Sequence, residues 1–173
     1  VPGQHQVTNT LAAVRVAKLL GLDMEQMIRG IASVVPIAGR NRIIQEGNFT
    51  LIDDCYNANP VSMKAALDLL SLADTRKVAI LGDMFELGEN SDLLHSGVGC
   101  YAKGKTDLLI CIGENAKHIY DGAKEAGVAH IYHFTDKESF LREKENLLQA
   151  GDTILLKASH GMAFETLISQ LLQ

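Results

Sequence analysis

At 173 residues, with 47% hydrophobic and 21% charged side chains, the chain has apolar material for one compact domain, or one domain and part of another. Sixteen Lys and Arg stand against 21 Asp and Glu, a formal charge of −5, and no basic cluster suits nucleic acid or an anionic lipid surface. No apolar run reaches the roughly 20 residues of a membrane helix, no secretory leader is visible, and Cys55, Cys100 and Cys111 show no disulfide or zinc spacing, so a cytoplasmic setting with reduced thiols is expected.

The first residue is Val1 and a helix begins almost at once, so a piece of a longer chain is expected. Residues 1–35 read as helical throughout. Ala12, Ala13, Val16, Leu19 and Leu20 share one side of the first helix, and Gly21 is a C-terminal stop. Asp23 starts a second helix with Gln26 as its capping-box partner, and Met24, Met27, Ile28 and Ile31 form its apolar stripe. Pro36 ends it. Two helices cannot bury their own stripes, so they need a partner body.

From Gly39 the texture changes. Short runs rich in β-branched residues, at 42–45, 49–53, 77–81, 108–112, 131–134 and 153–157, alternate with helical patterns at about 60–73, 91–104, 114–126, 137–149 and 161–172. That alternation predicts an α/β, Rossmann-like domain: a mostly parallel sheet with helices on both faces. Glu46-Gly47-Asn48 reads as a hairpin connection, which makes the first strand an antiparallel edge. Ligands of such sheets sit beyond the carboxyl ends of the strands. The residues there include Asp53-Asp54, Gly82-Asp83, Gly113-Glu114 and Lys157-Ala158-Ser159.

Each motif has a plainer alternative. Gly99–Thr106 spells G-x-x-x-x-G-K-T, but a phosphate loop follows a strand and opens a helix, whereas here a helix precedes and a strand follows. A helix ending at Gly104 is the better reading. In Asp53–Pro60, Asn59 and Pro60 are accounted for by helix initiation, but the paired carboxylates, Tyr56 and Asn57 are not. Carboxylates at that edge suit ribose hydroxyls or a hydrated metal. Asp83 and Glu86 also suit an acidic helix start, His95 an ordinary structural histidine, and Lys157 a snorkelling surface lysine. Beside Ser159 and Gly161, the lysine equally suits an anion or carboxylate.

Taken together, these segments resemble the Mur ligases over essentially the whole chain. Asp53–Pro60 with Ser62-Met63 looks like the Asp-Asp-x-Tyr-Asn-Ala-Asn motif, and Gly82-Asp83-Met84, Glu86-Leu87-Gly88 and His95 like a second characteristic loop. Pro2–His5 with Asn9, Ala12 and Ala13 is similar to the end of the central ATPase domain. Arg40 is similar to the junction arginine, and Lys157, Ser159 and Glu165 to the last motif. Gln6 stands where the family has Asn after the histidine, and His160 where many members have Arg.

The resemblance implies that residues 1–38 end a central ATPase domain and residues 39–173 form the C-terminal ligase domain. It implies an ATP- and Mg²⁺-dependent ligase of peptidoglycan synthesis whose substrates are UDP-N-acetylmuramoyl-tripeptide and D-alanyl-D-alanine. ATP would activate the tripeptide carboxylate as an acyl phosphate, which the dipeptide amine attacks. Asn9 (adenine), Arg40 (phosphates), Asp54 (ribose), Tyr56 and Asn57 are then nucleotide residues, and Asp83, Glu86, His95, Lys157 and Ser159 substrate residues. No catalytic residue or metal ligand falls in this chain, which is expected to be monomeric and inactive by itself. A pivot is expected near Pro36–Arg40, and Asp54 is expected to be exposed, adding little to the core. Two rivals remain: a phosphoacceptor receiver module built on Asp53 or Asp54, Asp83 and Lys157, and a stand-alone nucleotide-binding module.

Overall fold

Two helices, α1 (Gln4–Leu19) and α2 (Met24–Ala32), precede the strand–helix alternation. It runs β1 (Arg42–Glu46), β2 (Phe49–Asp53), α3 (Pro60–Leu70), β3 (Lys77–Gly82), α4 (Ser91–Tyr101), β4 (Leu108–Ile112), α5 (Ala116–Ala126), β5 (Ile131–Phe134), α6 (Lys137–Leu147), β6 (Thr153–Lys157) and α7 (Glu165–Leu171). The computed structural model describes residues 4–35 and 38–172, without the side chains of Gln4 and His5. Pro2, Gly3 and Pro36, on which part of the resemblance and of the expected pivot rest, lie outside them.

The strands form one sheet in the order β1-β2-β6-β3-β4-β5. β1 pairs antiparallel with β2 through the two-residue turn Gly47-Asn48, with Glu46 opposite Phe49; the other neighbours are parallel. The central strands β3, β4 and β6 read as unbroken apolar runs because both of their faces are covered. Alternate residues serve the two faces. Leu81, Leu109, Cys111 and Leu155 pack against α3, α4 and α5, whereas Val78, Ile80, Ile110 and Leu156 pack against α6 and α7.

Local chemistry sets the helix starts. Asp23 and Gln26 close a reciprocal capping box on α2, and Asn59 and Ser62 close another on α3, with Pro60 in its first turn. The expected boundaries differ from the observed ones at helix ends. The stretch expected as helix from 161 to 172 begins as a 3₁₀ turn, His160–Met162, and α7 starts only at Glu165, because Ala163 takes a left-handed conformation between them. The apolar side chains of α1 and α2 lie mostly in solvent, with Leu19 85% and Met24 67% exposed; Met27 is the buried one in α2.

The G-x-x-x-x-G-K-T string has structural tasks throughout. A Cβ on Gly99 would lie 1.9 Å from the Ile119 carbonyl oxygen, and one on Gly122 would lie 2.2 Å from that of Ser96, so α4 and α5 touch backbone to backbone. Gly104 ends the turn after α4 at φ +73°. Lys105 pairs with Asp68 at 2.6 Å, and the Thr106 hydroxyl donates to the Lys77 and Leu108 carbonyls.

Candidate functional site

The winding of the sheet reverses at β6. β2 and β3 lead into helices on one face, β6 leads into α7 on the other, and β6 lies between them. Crevices at such a reversal are where ligands of open α/β sheets bind. Here the reversal offers two such positions, one on each side of the carboxyl end of β6.

In the β2–β6 crevice lies a cavity of about 830 Å³. Asn9, Arg40, Asp54, Tyr56 and Asn57 line it together with Lys157, and Pro60, Val61 and Leu94 add an apolar wall. The five residues expected to hold nucleotide are thus brought together, with α1 contributing Asn9. Lys157, expected on the substrate side, shares this cavity instead.

Lys157 is not a snorkelling surface lysine. It is 2% exposed, and its ammonium donates to Asp54 Oδ2 at 2.6 Å, to the Asn57 carbonyl at 2.9 Å and to the Asp54 carbonyl at 3.4 Å. Asp54, expected to be exposed, is buried because this lysine draws it inward from the neighbouring strand. Its Oδ1 accepts the Asn41 amide at 3.1 Å. A carboxylate offers about four acceptor positions, so room remains for a ribose hydroxyl.

Asp53 points elsewhere. Its Oδ2 accepts the Gly39 amide at 2.9 Å and its Oδ1 the Cys55 amide at 3.4 Å. The Tyr56 amide donates to the Gly39 carbonyl at 2.9 Å, and the Arg40 guanidinium lies 4.0 Å above the Tyr56 ring centroid. The His160 ring is 6.0 Å from Tyr56 on the last loop. Burial, then the neighbouring Asp53 carboxylate, pushes the Cys55 thiol far above its ordinary range, so it stays protonated.

The remaining expected residues lie on the β3 side of β6, in or beneath the loops that follow the two strands. Asp83 is buried, and its Oδ1 accepts the Ala116 amide at 2.6 Å at the start of α5. The Ser159 amide donates to the Asp83 carbonyl at 2.9 Å, and the Ser159 hydroxyl oxygen accepts the Phe85 amide at 2.8 Å. His95 is fully buried; Nε2 accepts the Met84 amide at 2.9 Å and Nδ1 lies 2.8 Å from the Ser91 carbonyl, which fits the neutral Nδ1–H tautomer. Its ring steadies the loop after β3 and does not reach the surface. Glu86 is exposed on that loop in a left-handed conformation, φ +62°.

Sequence reasoning missed the Asp53–Gly39 contact, since 14 residues separate the two and no periodicity links them. It also missed Val61 and Leu94, which read as ordinary helix positions. Among the described residues, no group of three or more His, Cys, Asp or Glu is arranged to hold a metal ion, and no helix is long and apolar enough to cross a membrane. A receiver module needs an open strand-end aspartate. Asp53, Asp54 and Asp83 are buried and each already accepts hydrogen bonds within the chain, so the geometry disfavours that rival.

The family model described as "Mur ligase, glutamate ligase domain" matches residues 39–160. The UDP-N-acetylmuramoyl-tripeptide–D-alanyl-D-alanine ligase of Synechocystis sp. is 37% identical over 98% of this chain and 38% of its own length. A crystal structure of MurF from Acinetobacter baumannii superposes with a TM-score of 0.88 at 31% identity, covering 98% of this chain and 38% of that one. The MurF ligase of Thermotoga maritima, solved in complex with ADP, has the same fold at 24% identity, with a TM-score of 0.82 over 99% of this chain and 38% of that one. The chain therefore spans about 38% of the length of these relatives.

Proposed function

The chain belongs to the Mur ligase family, and from that premise we propose that it serves as the C-terminal domain of a cytoplasmic, monomeric ligase that joins D-alanyl-D-alanine to UDP-N-acetylmuramoyl-tripeptide, driven by ATP. Residues 1–38 contribute the last helices of the central ATPase domain, and residues 39–173 close over the nucleotide. One observation supports this above the rest: Asn9, Arg40, Asp54, Tyr56 and Asn57 line a single cavity at the reversal of the sheet.

Four of these residues have a distinct physical part. Arg40, steadied on the face of Tyr56, offers a cation to nucleotide phosphates at the cavity mouth. Asp54, fixed by Lys157, offers its spare acceptor capacity to a ribose hydroxyl, and Asn9 faces the base. The dipeptide belongs on the β3 side of β6, where Asp83, His95 and Ser159 hold the loop that carries Glu86. Mg²⁺ would neutralise charge on the transferring phosphoryl group; the buried, engaged carboxylates here do not fit it, so its ligands belong to the rest of the ligase.

In the ligase that contains this chain, Arg40→Ala should raise KM for ATP by at least about tenfold, the loss of one charge-assisted hydrogen bond, and leave KM for the dipeptide nearly unchanged. Phosphate release assayed with the three substrates checks it, and an unaltered ATP KM removes Arg40 from the nucleotide site. The 173 residues alone should bind ATP only weakly, because no glycine-rich strand-to-helix loop is present to hold phosphates. Micromolar affinity by calorimetry would move the main nucleotide contacts into this chain.

A further inference from the structure

The segment that joins the helices to the sheet is fastened at three consecutive residues. Gly39 donates its amide to Asp53 Oδ2 and receives the Tyr56 amide at its carbonyl; Asn41 donates its amide to Asp54 Oδ1. Arg40 sits between these two anchored amides with its guanidinium on Tyr56. The adjacent aspartates at the end of β2 thus grip the amides on either side of one arginine. A carboxylate that accepts a backbone amide at 2.9 Å in a buried setting imposes a definite backbone path, because releasing it would strand a buried charge.

We propose that Asp53 is a positioning residue: by holding Gly39, it fixes Arg40 against Tyr56 at the mouth of the cavity and makes residues 39–41 part of the sheet domain. Asp53 need not touch ligand. Domain movement in the ligase then carries Arg40 with the sheet, and the pivot lies before Gly39 rather than at Arg40. The inference rests on the nucleotide role given to Arg40 above.

The test is a double-mutant cycle read in ATP KM, run on the ligase that contains this chain. Asp53→Ala should raise ATP KM about as much as Arg40→Ala, and the double variant should be no worse than Arg40→Ala alone. Asp53→Asn retains an oxygen that accepts the Gly39 amide and should keep ATP KM within about twofold of the parent. Should the alanine variant fail to fold, Asp53→Ser, too short to reach that amide, carries the same expectation. A purely structural aspartate would lower the melting temperature and give additive or no effects on KM, which overturns the proposal. Amide hydrogen exchange at Gly39, Asn41 and Tyr56 supplies a readout independent of activity. Exchange should quicken in Asp53→Ala and stay slow in Arg40→Ala, and unchanged exchange in Asp53→Ala also overturns the clamp. If Arg40→Ala leaves ATP KM untouched, the nucleotide role of Arg40 fails, while exchange still decides whether Asp53 holds the segment.

Discussion

Asp54→Ala should destabilise the fold by about 3–5 kcal/mol, because it leaves the Lys157 ammonium buried without a counter-charge. An exposed strand-end carboxylate, or one that merely helps to start the next helix, would cost about 1 kcal/mol or less. For a chain of this size the larger figure lowers the melting temperature by roughly 10 °C. Replacing the pair together, Asp54→Leu with Lys157→Met, should recover most of that loss, since an apolar pair of similar volume needs no desolvated charges. On the role proposed for Asp54, ATP KM in the ligase should remain raised in the double variant, because that carboxylate is gone. Chemical denaturation of the single and double variants measures the first part. A single-variant loss below about 1 kcal/mol would mean that water reaches the pair.

Gly99→Ala should destabilise by about 2–3 kcal/mol or more, since the added methyl would meet the Ile119 carbonyl and the Ala123 amide, backbone atoms that move only if α4 and α5 part. Lys105→Ala, on the same G-x-x-x-x-G-K-T string, should cost less than 1 kcal/mol, because its pair with Asp68 is solvent-exposed. Neither should change the affinity of the folded ligase for ATP. A phosphate loop would predict the reverse pattern: a large loss of ATP binding on removing the lysine, with stability hardly touched. Thermal melts and ATP KM on both variants separate the two cases.

Much of the architecture was legible because it is written in local periods. β3, β4 and β6 are continuous apolar runs, the Asp23–Gln26 capping box and the Asn59-Pro60 helix start are marked by residues close in sequence, and the false phosphate loop was exposed by the order of helix and strand around it. Helix ends were less legible, since nothing nearby marks the left-handed turn at Ala163. The site was legible as a set of strand-end residues but not as an electrostatic arrangement. Lys157 and Asp54 are 103 residues apart, and only the insertion of β6 beside β2 makes them partners. Strand alternation predicts a parallel sheet without giving that order, so the burial of Asp54, the engagement of Lys157 and the grip of Asp53 on Gly39 had no signal in the sequence.

The strand that comes last in the chain lies in the middle of the sheet, with Thr50 and Lys77 both in register with Thr153. Without residues 153–157 the sheet would fall into a β1–β2 hairpin and a separate β3–β4–β5 piece, each with an open edge. Closing the sheet needs contacts across about a hundred residues, the kind of long-range pairing that slows folding. The cavity beside β2 flanks that strand and takes Lys157 from its carboxyl end. Docking of β6 therefore completes the lining of the cavity with Lys157 and supplies the counter-charge for Asp54 in one step, so the two are coupled through a single long-range strand pairing.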